Sequence, residues 1–124
     1  MKTDIRNRKD LVKLVNTFYD KIKKDEVIGY FFTDIAQVNW EKHLTTMYDF
    51  WENSLFYTGN YNGNPMMKHT ELHEKSPFNE AHFNQWTTLF TDTVNQLFEG
   101  PNSEKIKSRA INISMFMRRK FSIG

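Results

Sequence analysis

Residues 58–69 read Thr58-Gly59-Asn60-Tyr61-Asn62-Gly63-Asn64-Pro65-Met66-Met67-Lys68-His69. The stretch 59–64 is all turn chemistry apart from one tyrosine. Asn64-Pro65 then sets up a helix, with an asparagine at the cap and a proline whose fixed φ suits the first helical position. A short helix therefore begins at Pro65 and carries Met66, Met67, Lys68 and His69. A second break, Ser76-Pro77-Phe78-Asn79, follows. His69 thus sits on a short helix between two loops, where its position is adjustable without disturbing a long element. The glycine-containing loop does not follow a strand, so it fails the context test for a dinucleotide phosphate loop.

On both sides of this stretch the apolar residues recur at helical spacing. Upstream, Asp10 is the expected cap of a first long helix with Leu11, Leu14, Val15, Phe18 and Ile22 inward; Lys23 and Lys24 close it and Asp25 breaks it. A turn-like piece follows, with Gly29 before Tyr30-Phe31-Phe32. Asn39 is the expected cap of the next helix, whose row is Trp40, Leu44, Met47, Trp51 and Leu55, with His43 at its edge and Gly59 as its end. Downstream, a long helix from Asn79 carries Phe83, Trp86, Phe90, Val94 and Leu97 up to Gly100-Pro101. The last helix is expected to start near Asn102 or Ser103 and shows Ile106, Ala110, Ile113, Met117 and Phe121. No stretch alternates as a strand would. The expectation is a single all-α domain over residues 1–124, with about four long helices and two short ones.

Composition narrows the chemistry. The net charge of +2, from 17 basic and 15 acidic residues, carries no strong nucleic-acid or membrane signal. Arg118-Arg119-Lys120 reads as favourable charge at a helix C-terminus before it reads as a binding patch. With no cysteine, disulfides, iron–sulfur clusters, thiolate zinc and thiol catalysis are excluded. The start, MKTDIRNRKD, lacks the apolar stretch of a signal peptide, and no window approaches a membrane span. The expected location is cytoplasmic. Aromatics make up 15%, including 11 phenylalanines, which suits a flat apolar ligand but also an ordinary small core.

Four residues stand out because each lies on or beside an apolar helix face: Tyr19, His43, His69 and Trp86. Polar atoms in an apolar interior are unfavourable without a partner. A haem iron would need a ligand on one side and tolerate hydrogen-bond donors on the other. Taken singly, each residue has a bland reading: a boundary tyrosine, a hydrogen-bonded core histidine, a packing tryptophan. His73 lies four residues after His69, a spacing at which both could bind zinc or copper. The run His69-Thr-Glu-Leu-His73 is not the zinc-protease pattern, however, and no third ligand is evident. His82, in the first turn of a long helix beside Glu80, reads as solvated.

With these residues in place, the chain resembles the truncated haemoglobins of the group III branch. The matching segments are Phe18-Tyr19-Asp20-Lys21, Trp40-Glu41-Lys42-His43, Asp49-Phe50-Trp51, the segment from Thr58 through His69, His82-Phe83, Trp86 and Leu89-Phe90. They cover roughly residues 10–98; the final helix fits in pattern alone. The Gly-Asn-Pro segment leading to Lys68-His69 is the most specific.

The resemblance implies a shortened globin, two helices crossing over two around haem b. It implies His69 as proximal iron ligand, Tyr19, His43 and Trp86 on the distal side, and Met47 as a distal wall residue. Phe32 would be the haem-packing phenylalanine, with Phe31 as the competing choice. His43 has two readings, a gate at the pocket mouth or a second iron ligand. Lys68 and Tyr61 are candidate propionate partners. The implied ligands are oxygen, nitric oxide and carbon monoxide, with a separate reductase as an open candidate partner. Implied roles are oxygen scavenging, nitric oxide dioxygenase chemistry or peroxidase-like chemistry. The rival readings are a haem-free helical interaction domain and a non-haem metal protein built on His69 and His73.

Overall fold

The structure, a computed structural model, describes residues 2–36, 38–59, 61, 63 and 65–121, and for residues 65–68 the backbone alone. Helix α1 spans Arg8–Lys24. Its cap is Asn7, whose side chain accepts the Asp10 N–H at 3.2 Å. Asp10, the expected cap, lies one turn inside; its carboxylate reaches back to the Arg6 N–H at 2.9 Å. That places an acceptor in the first turn, where backbone donors are otherwise unmet. Asp25 ends the helix in an extended conformation, and its carboxylate accepts the N–H groups of Val27 and Ile28. Gly29 is required by close approach, since a Cβ there would lie 2.8 Å from the Ile22 carbonyl oxygen.

Residues Phe31–Ile35 then form a π-helical turn, closed by the Ala36 N–H donating to the Phe31 carbonyl at 2.7 Å. Its wide winding separates two adjacent rings. Phe31 is buried toward α4, edge-on to His82, whereas Phe32 faces Tyr19, Trp40 and His43.

Helix α2 spans Trp40–Phe56 and is capped as expected by Asn39, which accepts the Lys42 N–H. It ends before Gly59. Tyr57 itself takes the left-handed conformation (φ 56°), and the Asn53 side chain accepts the Gly59 N–H at 2.8 Å. Asn53 thus ties down the chain on both sides, through its carbonyl to Tyr57 and its amide oxygen to Gly59. Helix α3, Pro65–Lys75, is longer than a bare turn around His69; its expected cap, Asn64, lies outside the described residues.

Helix α4 spans Glu80–Leu97 and opens with a reciprocal cap. Asn79 accepts the His82 N–H, while the His82 ring accepts the Asn79 N–H. Helix α5 spans Pro101–Lys120, starting just before the expected Asn102 or Ser103. Its cap comes from far away in sequence. The Asp4 carboxylate accepts the N–H groups of Asn102 and Ser103 and the Ser103 hydroxyl, at 2.8–2.9 Å. Gly100, at φ +146°, lets this carboxylate approach; a Cβ would stand 2.6 Å from Asp4 Cγ.

Helix α1 packs on α2 and α4, and α5 packs on α4 and α2, giving one pair laid across the other. Among the described residues no strand occurs, so the expected two-over-two all-α arrangement holds. The centre is aromatic: Trp86 stacks on Phe90 (5.5 Å, 6° between planes), Phe90 on Trp51 (5.0 Å, 24°), and Phe18 stands edge-on to Trp86 and Phe90. Ion pairs of Arg8 with Asp49 and Glu52 join α1 to α2, and Arg118 with Glu80 joins α5 to α4. Helix α3 takes part in none of the main helix–helix interfaces.

Candidate functional site

Tyr19 is the centre of the site. It lies on α1 directly after Phe18, one position round the helix from the inward row, and is only 5% exposed. Its ring meets His43 at 5.0 Å, Phe32 at 5.7 Å and Trp40 at 5.8 Å, all edge-on. Burial alone drives its hydroxyl pKa well above the ordinary tyrosine value. Among the described residues that hydroxyl makes no hydrogen bond. A buried phenol that keeps its proton is a donor in waiting.

His43 stands on α2 one turn after the cap, and its Nε2 is shut off from solvent. Trp40, one turn earlier on the same face, is edge-on to His43 at 5.9 Å and stacked on Phe32 at 6.0 Å. The Lys23 ammonium lies 4.3 Å from the centre of the Trp40 ring. This tryptophan was read from sequence as part of an inward row and of a matching segment, without a role in the site. Its i, i+3 relation to His43 was the signal that it belongs to the same cluster.

Trp86 reaches the group from α4 through Phe18, which touches both Trp86 and Tyr19. The indole is half-buried, as is Met47, and both pack against the main core. On α2 only Trp51 and Leu55 of the inward row are buried; Leu44 and Met47 remain half-exposed. The helix therefore offers an apolar face that α1 and α5 do not fully cover, next to the Tyr19–His43 cluster.

His69 lies on α3, with its ring 6.3 Å from that of Phe78. His73 is differently engaged. Its Nδ1 accepts the Phe78 N–H at 2.9 Å and its ring stacks on Phe121 at 4.6 Å. With the Nδ1 lone pair used, the ring proton sits on Nε2, which leaves His73 no lone pair for a metal. Among the described residues no group of three potential metal ligands forms. His82, read as solvated, is instead buried: its Nε2 is 3.2 Å from the Tyr30 hydroxyl, and burial lowers its pKa below the ordinary histidine value. The side chains of Met66, Met67 and Lys68 lie outside the described residues. Tyr61 is half-buried with its ring against Phe50 at 5.1 Å.

A family model of bacterial-like globins matches residues 4–119. The chain belongs to that family. All of it aligns with the group 3 truncated hemoglobin ctb of Campylobacter jejuni subsp. jejuni, at 31% identity over 128 residues and 98% of that protein. The crystal structure of a group III truncated hemoglobin from Campylobacter jejuni superposes with a TM-score of 0.84 at 29% identity, covering 98% of this chain and 95% of that one. The globin is thus a group III truncated haemoglobin, a haem-binding protein of a family that takes small gaseous ligands such as oxygen. No described helix is long and apolar enough to cross a membrane. The residues of this globin fit a haem: a half-covered apolar face on α2, a histidine on a separate helix, and a buried hydroxyl beside an imidazole.

Proposed function

We propose that this globin holds haem b through His69 and retains oxygen tightly, for scavenging or for oxygen and nitric oxide chemistry rather than delivery. The observation that carries the reading is the buried Tyr19 hydroxyl, hydrogen-bonded to no described residue and set against His43. A bound haem supplies an iron with one position open to a diatomic gas.

Everything else falls to the chain. His69 would be the proximal ligand, and the use of His73 Nδ1 by a backbone N–H favours His69 over its neighbour. Phe32 and Met47 would pack against the macrocycle. The Tyr19 hydroxyl and the Trp86 indole N–H would be the donors to a gas ligand polarised by the bound haem. Each donor in a dry site contributes about 1–3 kcal/mol, and about 1.4 kcal/mol is a tenfold change in affinity. Two donors would therefore make release slow, which suits capture better than delivery. A peroxidase-like role asks for a distal acid/base, and His43 would be the group to supply it.

The experiment is an absorption spectrum in the ferric, ferrous and carbon monoxide forms, beside His69→Ala, followed by oxygen release from wild type and Trp86→Phe. A Soret band that shifts with carbon monoxide and is lost or altered in the His69 variant is expected. Oxygen dissociation should rise about tenfold in Trp86→Phe; an unchanged rate removes Trp86 from the donor set. No Soret band after haemin addition overturns the haem reading for this chain.

A further inference from the structure

Two histidines outside the gas site grip the connection between α3 and α4. The N–H of Phe78 donates to His73 Nδ1 at 2.9 Å, and the N–H of the next residue, Asn79, donates to His82 Nδ1 at 3.0 Å. One histidine belongs to α3, the helix that carries His69, and the other to α4. A backbone N–H aimed at Nδ1 requires a lone pair there, so each ring is neutral with its proton on Nε2. Both rings are held from behind, His73 stacked on Phe121 and His82 edge-on to Phe31 at 4.5 Å with its Nε2 on the Tyr30 hydroxyl. The Phe78 ring lies between them, 5.4 Å from His73, 6.5 Å from His82 and 6.3 Å from His69.

We propose that His73 and His82 form a two-point clasp on Phe78 and Asn79 that positions α3, and His69 with it, and that protonating His82 opens the clasp. The inference rests on the reading of His69 as the iron ligand. A protonated His82 carries N–H on both nitrogens, so Nδ1 becomes a donor facing the Asn79 donor. The titratable group facing His82 is the Tyr30 hydroxyl, from the segment before the π turn; Glu80, two positions earlier on its own helix, points to another side. Glu80 is engaged by Arg118 of α5 at 2.8 Å. Burial is the sole cause of the lowered His82 pKa. The sign follows: the clasp is whole above the ordinary histidine pKa and is lost as pH falls through the lowered one. Glutamine is a natural acceptor at this helix position and does not titrate, so His82→Gln keeps the clasp and removes its pH dependence.

The test compares the haem-loaded wild type with His82→Gln and His82→Ala at about pH 7.5 and about pH 5, either side of the histidine range. Two readouts are taken: the protection factor of the Asn79 amide by NMR hydrogen exchange, and the rate of haem transfer to excess haem-free acceptor globin. Acidification should lower Asn79 protection in wild type about tenfold more than in His82→Gln, the equivalent of about 1.4 kcal/mol, and speed haem transfer in the same ratio. His82→Ala should be weakly protected at both pH values. If His82→Gln keeps the wild-type pH dependence at Asn79, the clasp is overturned, and this comparison stands even if His82→Ala does not fold. If Asn79 responds and haem transfer does not, the positioning of His69 is overturned. A chain that binds no haem overturns the His69 reading, while the Asn79 amide still decides the clasp.

Discussion

Tyr19 and His82 are both buried polar residues in aromatic surroundings, and they were not equally visible in the sequence. Tyr19 borders an inward row next to Phe18, so periodicity marked it as a boundary residue and left its burial open. His82 is preceded by Glu80 and Ala81 in a first turn, which is where solvated side chains normally sit. It is buried because it doubles as the reciprocal cap of α4 and because Phe31, from a distant segment, and the neighbouring Phe78 close over it. Asp4 has a similar history. Burial alone would raise its pKa, but hydrogen bonds from Asn102, Ser103 and Ile5 outweigh this and hold it below the ordinary value. Its contribution is therefore complete above the unfolded carboxylate pKa and is lost as pH falls through the lowered one. Asp4→Ala should destabilise the fold by about 1–2 kcal/mol near neutral pH, the worth of a helix cap. Urea titration should show the gap from wild type closing as pH falls below the ordinary aspartate pKa of about 3.9; a gap that persists in acid would show that Asp4 acts by packing and not as a carboxylate.

Helix ends show why some element boundaries were readable and others were not. Asn39 caps α2 where local sequence placed the cap, and Asn79, read as the start of the next long helix, caps α4, because an asparagine before an apolar row satisfies first-turn donors within the same segment. Asn39→Ala should lower stability by about 1 kcal/mol, measurable as a drop in Tm without change in the carbon monoxide spectrum. Helix α1 starts at Arg8 because Asn7 and Asp10 divide the capping between them, a choice between neighbouring candidates that composition alone did not rank. The end of α2 moved from Gly59 to Tyr57 because Asn53 satisfies the chain on both sides of the turn. The π turn after Gly29 read only as irregular. Its winding decides that Phe31 serves the core and Phe32 the Tyr19 cluster, so the choice between two adjacent phenylalanines belonged to the backbone.

At the scale of the whole molecule, the aromatic column from Trp86 through Phe90 to Trp51 couples the core to the site. Phe90 is fully buried between the two indoles. Phe90→Ala should cost about 3–5 kcal/mol, the range for removing a buried phenylalanine, and should also loosen Trp86. Equilibrium unfolding together with oxygen release would register both effects. A loss of stability with unchanged oxygen release would separate the column from the pocket.

The sequence by itself determined the all-α class, most of the inward rows, the Asn39 cap and the start of α4 after Asn79, and it supplied the candidates for a globin site. Those properties depend on spacing within one segment, and a 3.6-residue period or a cap is complete in a dozen residues. Only the tertiary structure decided that Tyr19 and Phe32 meet His43, that Lys23 lies over Trp40, and that Asp4 caps a helix nearly a hundred positions away. It also decided that His73 stacks on Phe121 and that His82 is covered by Phe31 and Tyr30. Each of these is a meeting of separate segments, and no local pattern encodes which distant group will arrive.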